Sequence, residues 1–255
     1  MSSPRSKLPA LTLAFWIMKI CATTLGETAG DLLSMTMGLG YATSSFILVG
    51  FFVVTVILQL LSRRYVPSLY WSVILSTSTA GTTMSDLMDR TLGLGYARGA
   101  ALLVALLGLA LATWWALERS LAVDSIRTRR AEALYWTAIL FSNTLGTALG
   151  DFLADDSGLG FLGGALVIGG LIAVIVVLTL FTKLSRVALF WAAFVLTRPF
   201  GATVGDVFTK SHEQGGLGFG TLGASAVLAL VLVGLVVRET LTNRNREPPP
   251  RVEPS

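Results

Sequence analysis

The chain is poor in the residues that most often do chemistry. It has one cysteine and one histidine in 255 residues, and only 13% of its residues are charged. A single Cys21 excludes an internal disulfide, and within an apolar segment it reads as a small core residue. His212 has no second histidine or cysteine with which to build a zinc site of the usual kind. There is no H-E-x-x-H sequence, no serine nucleophile with a histidine partner, and no glycine-rich phosphate loop followed by lysine. An enzyme is therefore the least supported class, and no cofactor is expected beyond a bound or transported cation.

What the chain has in abundance is apolar sequence. Hydrophobic residues make up 53% and the mean hydropathy is +0.72. Runs such as "SSFILVGFFVVTVILQLL" (44–61) and "GGALVIGGLIAVIVVLTLF" (163–181) are free of charge, and their length matches a hydrocarbon core. The composition predicts an all-α integral membrane protein whose first partner is the lipid bilayer. The N-terminus imitates a signal peptide, with a basic start and an apolar middle. Residues 16–31, however, align with three later segments, which assigns them to the mature fold.

That alignment is the main signal. Trp16, Trp71, Trp136 and Trp191 each stand ten residues before Gly26, Gly81, Gly146 and Gly201, and each glycine stands five before Asp31, Asp86, Asp151 and Asp206. "GLGY" or "GLGF" follows at 38, 93, 158 and 216, seven residues after the Asp in three repeats and ten in the fourth. Four tandem repeats result, each predicted to supply two helices. The spans are expected near 10–32, 44–62, 66–88, 97–117, 131–153, 161–182, 186–208 and 218–238. Repeats occupy 10–64, 65–117, 131–184 and 185–238, with an N-terminal segment 1–9, a linker 118–130 and a disordered tail 239–255. Two spans per unit make the repeats parallel, which predicts pseudo-fourfold symmetry about the membrane normal.

The basic residues set the orientation. Arg5, Lys7, Arg63, Arg64, Arg119, Arg127, Arg129, Arg130, Lys183, Arg186, Arg238, Arg244, Arg246 and Arg251 fall at the ends and between repeats, whereas only Arg90, Arg98 and Lys210 fall in loops within repeats. This bias predicts that both termini are cytoplasmic. It also accounts for the net charge of +4 without a nucleic-acid partner. The chain resembles a bacterial membrane-anchored family defined by a four-fold repeat of unknown function, with two spans and a characteristic tryptophan per repeat. Trp16, Trp71, Trp136 and Trp191 carry the resemblance over 10–238. It implies the fold and a bacterial inner-membrane location, but no activity.

Function is read from a polar stripe. Residues four apart share a helix face, and stepping back from each Asp gives Thr23, Glu27, Asp31; Ser78, Thr82, Asp86; Asn143, Thr147, Asp151; and Arg198, Ala202, Asp206. All but Ala202 are polar, and Lys19 extends the first stripe by a turn. Intramembrane polar groups normally face the bundle interior, so four stripes are expected to converge. Five acids (Glu27, Asp31, Asp86, Asp151, Asp206) against two bases (Arg198, Lys19) leave about −3, which protons or a bound cation must neutralise. Carboxylate, hydroxyl and amide oxygens suit hard cations such as Mg²⁺, Mn²⁺ or Ca²⁺.

The leading expectation is a transporter of such a divalent cation, with proton coupling as an option. A cation or proton channel is the second reading, and a structural or regulatory protein whose aspartates cap helix hairpins is the third. Arg198 is expected to pair with central carboxylates. Small-xxx-small glycine spacing reads as close helix packing, the tryptophans as interface anchors, and Asp89, Asp155 and Asp156 as solvated loop charge.

Overall fold

A computed structural model describes residue 9, residues 11–62 and residues 64–245. Among these are eight α-helices and no strand: α1 (Leu13–Asp31), α2 (Tyr41–Leu61), α3 (Pro67–Asp86), α4 (Tyr96–Glu118), α5 (Arg129–Asp151), α6 (Gly160–Phe181), α7 (Arg186–Thr209) and α8 (Gly220–Asn245). The odd-numbered helices begin on recognisable starts. Thr12, Thr128 and Ser185 accept hydrogen bonds from the backbone N–H of Phe15, Ala131 and Ala188, and Pro67 opens α3, as N-cap and first-turn preferences predict.

Five of the eight, α2, α4, α6, α7 and α8, are long and apolar enough to cross a membrane. Helices α1, α3 and α5 have similar lengths but are too polar by composition, and the reason is where their polar residues go. Thr23, Thr24, Glu27, Ser76, Thr77, Ser78, Asn143 and Thr144 are all buried, while Phe46, Phe51, Leu109, Leu166, Leu180 and Leu230 on the even-numbered helices are exposed. Polar inside and apolar outside inverts the soluble pattern.

Helix α1 packs on α3, α3 on α5, α5 on α7, and α7 returns to α1. Each even helix leans on the odd helix of the next repeat: α2 on α3, α4 on α5, α6 on α7 and α8 on α1. Glycines permit the inner contacts. A Cβ on Gly26 would overlap Ser78, one on Gly81 would lie 2.9 Å from the Asn143 carbonyl carbon, and one on Gly201 would overlap Thr23.

After its aspartate, each of the first three odd helices widens into one π turn, Leu32–Thr36, Leu87–Thr91 and Phe152–Asp156, and then reverses through two glycines with positive φ. The fourth repeat differs more than expected. The positive-φ pair that leads into α8 is Gly218 and Gly220, not the Gly216 and Gly218 of "GLGF"; Gly215 also has positive φ, at the end of the inserted turn. The hydrogen bonds fix the register: Phe219 N–H donates to Phe208 O, as Leu39 N–H does to Leu33 O. The insertion is thus five residues, not three. It is occupied by a short 3₁₀ turn, His212–Gln214, closed by a capping box with Ser211.

One other expectation changes. Helix α8 runs through 239–245, where a disordered tail was expected; residues 246–255 lie outside the described residues, as do Arg5, Lys7, Arg63, Arg246 and Arg251. The linker 118–130 packs on the bundle, with Val123 and Ile126 buried and Leu121 O accepting from Trp191 Nε1 at 3.1 Å.

Candidate functional site

Facing one another across the inner helices, the stripes form three tiers. At the end nearest the helix starts is an aromatic circle. Phe15 meets Trp71 (ring centroids 5.7 Å apart), Tyr70 meets Trp136 (5.5 Å), Tyr135 meets Trp191 (6.3 Å) and Phe190 meets Trp16 (5.9 Å). Each contact joins one repeat to the next. Trp71, Trp136 and Trp191 are buried, which does not fit their expected role as interface anchors, whereas Trp16 is half-buried. An aromatic ring of the neighbouring repeat covers one face of each tryptophan.

The middle tier is built on Arg198, which has no exposed surface. Its Nη2 donates to Glu27 Oε2 at 3.0 Å, Thr82 Oγ1 at 2.5 Å, Thr147 Oγ1 at 2.8 Å and Ser78 O at 3.3 Å, and its Nη1 to Thr23 O at 3.4 Å. Thr82 and Thr147 pass the interaction on, each hydroxyl donating to Glu27 Oε2 at 3.2 and 3.4 Å. All four repeats thus meet at one guanidinium. Lys19 lies a turn nearer the aromatic circle, 3.4 Å from Asn143 Oδ1 and 4.2 Å above the Phe194 ring. No carboxylate partner of Lys19 is found among the described residues, so its expected role as counter-ion is corrected to an amide and cation–π contact.

The outer tier holds the aspartates. Arg90 Nε lies 2.8 Å from Asp86 Oδ1 and its Nη2 3.3 Å from Asp151 Oδ2. Lys210 Nζ lies 3.0 Å from Asp31 Oδ2 and 3.1 Å from Asp206 Oδ1. The repeats are therefore clamped in pairs, the second to the third by Arg90 and the fourth to the first by Lys210. Burial works against the charge on both cations, but Asp86 and Asp151 outweigh it for Arg90, and Asp206 and Asp31 for Lys210, holding each above its ordinary value. Asp31, Asp86 and Asp151 stand at the head of π turns, yet none accepts a capping hydrogen bond.

Arg90 and Lys210 had been grouped with the loop cations. The signal was present: each is four residues past an aspartate, one more step of the same stripe. Counting them brings the five acids and four bases to about −1, not −3, so neutralisation does not by itself demand a divalent ion. Of the five carboxylates proposed as ligands, Glu27, Asp31 and Asp206 gather, with ligand oxygens all within 4.8 Å of one another. Asp86 and Asp151 stand apart on the Arg90 side. Asp155 and Asp156 are exposed as expected, but Asp89 is buried, its carboxylate lodged where a Cβ on Gly99 would fall.

One comparison bears on identity. The family model described as Repeat of Unknown Function (DUF347) matches residues 14–65, 69–120, 134–185 and 189–245. The chain belongs to this repeat family. No curated protein and no solved structure matches it.

Proposed function

We propose that this repeat protein is a multi-pass membrane transporter of a hard divalent cation of the Mg²⁺, Mn²⁺ or Ca²⁺ class. In this reading all eight helices span a bacterial inner membrane, with pseudo-fourfold symmetry about the normal and both termini cytoplasmic. The aromatic circle then lies towards the cytoplasm and the aspartate tier towards the outside. Function is transport without catalysis, and proton coupling is part of the proposal because the same carboxylates hold either species.

One observation carries it: Glu27, Asp31 and Asp206 converge in a buried, oxygen-only cluster. Hard cations bind oxygen at about 2.0–2.6 Å, so their ligands stand no more than roughly 4–5 Å apart, a limit that these oxygens meet, all lying within 4.8 Å of one another. Arg198 and Lys210 occupy the carboxylates in the closed arrangement, which supports a slow exchanger over an open channel.

A second reading, a structural or regulatory membrane protein, is favoured by the fact that every stripe carboxylate already faces an internal cation or hydroxyl. Proteoliposome flux separates the two. Mn²⁺, Mg²⁺ and Ca²⁺ are offered to the wild type and to Asp31→Asn and Asp206→Asn variants. Flux lost in both variants, with insertion intact, supports transport. Absence of flux and of binding for all three ions favours the structural reading.

A further inference from the structure

The two outer clamps are chemically unlike, and the difference selects one of them for exchange. Arg90 spreads two nitrogens over two carboxylates, Nε on Asp86 and Nη2 on Asp151, a fork geometry that is pre-organised and costly to undo. Lys210 serves Asp31 and Asp206 through a single Nζ, a compact point charge on a flexible stem.

Their backbones differ as well. Arg90 sits inside the π turn Leu87–Thr91. Lys210 ends α7 in extended backbone (φ −70°, ψ 155°) and opens the five-residue insertion that only the fourth repeat carries. Its N–H still donates to Asp206 O at 2.9 Å and its carbonyl accepts from Gly218 N–H at 2.9 Å, but the helix goes no further. The contact to Asp206 is the looser of the two: its Oδ1 lies 3.1 Å from Nζ as an ion pair without hydrogen-bond alignment, in a side chain only 5% exposed. Glu27, the third carboxylate of the cluster, lies on the Lys210 side and not on the Arg90 side.

We propose that Lys210 is a tethered stand-in for the cargo: its ammonium holds Asp31 and Asp206 together in the empty protein, and an entering divalent cation displaces it and takes Glu27 as third ligand. This rests on the transport reading above. The local charge supports the exchange. Glu27, Asp31 and Asp206 against Arg198 and Lys210 sum to −1, and replacing the Lys210 charge by a divalent ion brings the same set to zero, which buried charge favours. Arg90 meanwhile keeps Asp86 and Asp151 joined, so that half the ring stays fixed while the other half opens. Displaced, the Lys210 ammonium moves into the mouth beside the inserted turn and becomes reactive.

The test uses the full chain in nanodiscs with Mn²⁺ as probe. A membrane-impermeant amine reagent is applied to the wild type with and without Mn²⁺, and modification of Lys210 is read by mass spectrometry. Saturating Mn²⁺ should raise the modification rate several-fold. In parallel, Lys210→Gln, which removes the competitor, should bind Mn²⁺ about tenfold more tightly, and Lys210→Arg, which forks the clamp, more weakly. Wild-type binding that needs Asp31 and Asp206, with no change in Lys210 reactivity and no gain in Lys210→Gln, overturns the exchange role and leaves transport standing. No Mn²⁺ binding in wild type or in Lys210→Gln overturns both.

Discussion

Arg198 reaches the centre of the bundle because residue 146 has no side chain. A Cβ on Gly146 would stand 2.5 Å from Arg198 Cβ and 2.9 Å from Pro199 Cδ, and neither can retreat, since Pro199 lies within α7. Proline removes one backbone donor from α7, so the helix meets α5 where it is least regular. Gly146→Ala should cost about 1–3 kcal/mol through overpacking, read as a lower thermal midpoint of the full chain in detergent. At Gly50, where a Cβ meets nothing within 4 Å, the same change should be silent. Equal effects at both positions would mean that α5 and α7 are not held this closely.

The guanidinium should matter more than its packing. Arg198→Met leaves Glu27 buried with only the Thr82 and Thr147 hydroxyls, and breaking a buried pair from one side typically costs about 3–5 kcal/mol. Glu27→Gln in the same chain should return most of that loss, because no uncompensated charge then remains. Purified single and double variants compared by denaturant titration give the coupling directly. Additive losses would show that Arg198 and Glu27 do not share the charge.

How much of this was legible in advance follows from what each feature depends on. The helix pairs and the convergence of Glu27, Asp31 and Asp206 follow from period and repeat, which sequence displays. The Arg90 and Lys210 clamps were also written four residues past an aspartate, but their position near glycine turns disguised them as loop charge. The π turns could not be read, because they arise from how the chain leaves the aspartate rather than from residue type. The fourth turn misled because "GGLGFG" offers two registers, and only the backbone bonds of Leu217 and Phe219 choose between them. The tryptophans misled because an interface anchor and a buried ring have the same sequence; only the neighbour across the helix contact distinguishes them.

That neighbour differs between repeats, with a measurable result. Trp71 Nε1 donates to Glu239 Oε2 at 2.8 Å, and Tyr65 donates to the other oxygen at 2.7 Å. Trp136 Nε1 is buried without a partner. Replacing either ring by phenylalanine removes similar area, but only Trp71→Phe deprives a carboxylate of a donor. It should cost about 1–3 kcal/mol more than Trp136→Phe, measured as unfolding free energies in the same detergent. A larger loss at Trp136 would mean that its indole nitrogen has a partner after all.

Asp89 gives a pH signature. Burial pushes its carboxyl above the usual range, and the Ser85 hydroxyl at 3.2 Å and Arg90 offset this only in part. A raised folded value means that the folded protein binds the proton more tightly than the unfolded chain, whose value is about 3.9. Stability from this group is therefore full at low pH and falls as pH rises through the gap. Asp89→Asn should be more stable than wild type at pH 7, with the difference vanishing towards pH 4. Measuring the variant-minus-wild-type difference cancels the other acids. A difference that grows on acidification would reverse the sign and place Asp89 in an ion pair instead.

Orientation can be tested with three thiols. Arg64, Arg119, Arg127, Arg129, Arg130, Lys183, Arg186 and Arg238 flank the ends of the helices that carry the aromatic circle, whereas the opposite end has Arg90, Arg98 and Lys210. Arg90 and Lys210 are held against aspartates, so Arg98 is the one basic residue there outside the clamps. The charge bias that retains loops in the cytoplasm is therefore steeper than the residue count suggests. Ser125, Asp155 and Glu213 are all exposed, which makes them suitable positions, and the native Cys21 is buried with its thiol towards Leu228 O, which keeps background low. In intact cells an impermeant thiol reagent should label Asp155→Cys and Glu213→Cys, and should reach Ser125→Cys only after permeabilisation. The converse pattern would turn the protein over: the aspartate tier would open to the cytoplasm, the aromatic circle would close the outer side, and a cation displacing Lys210 would have to come from within the cell.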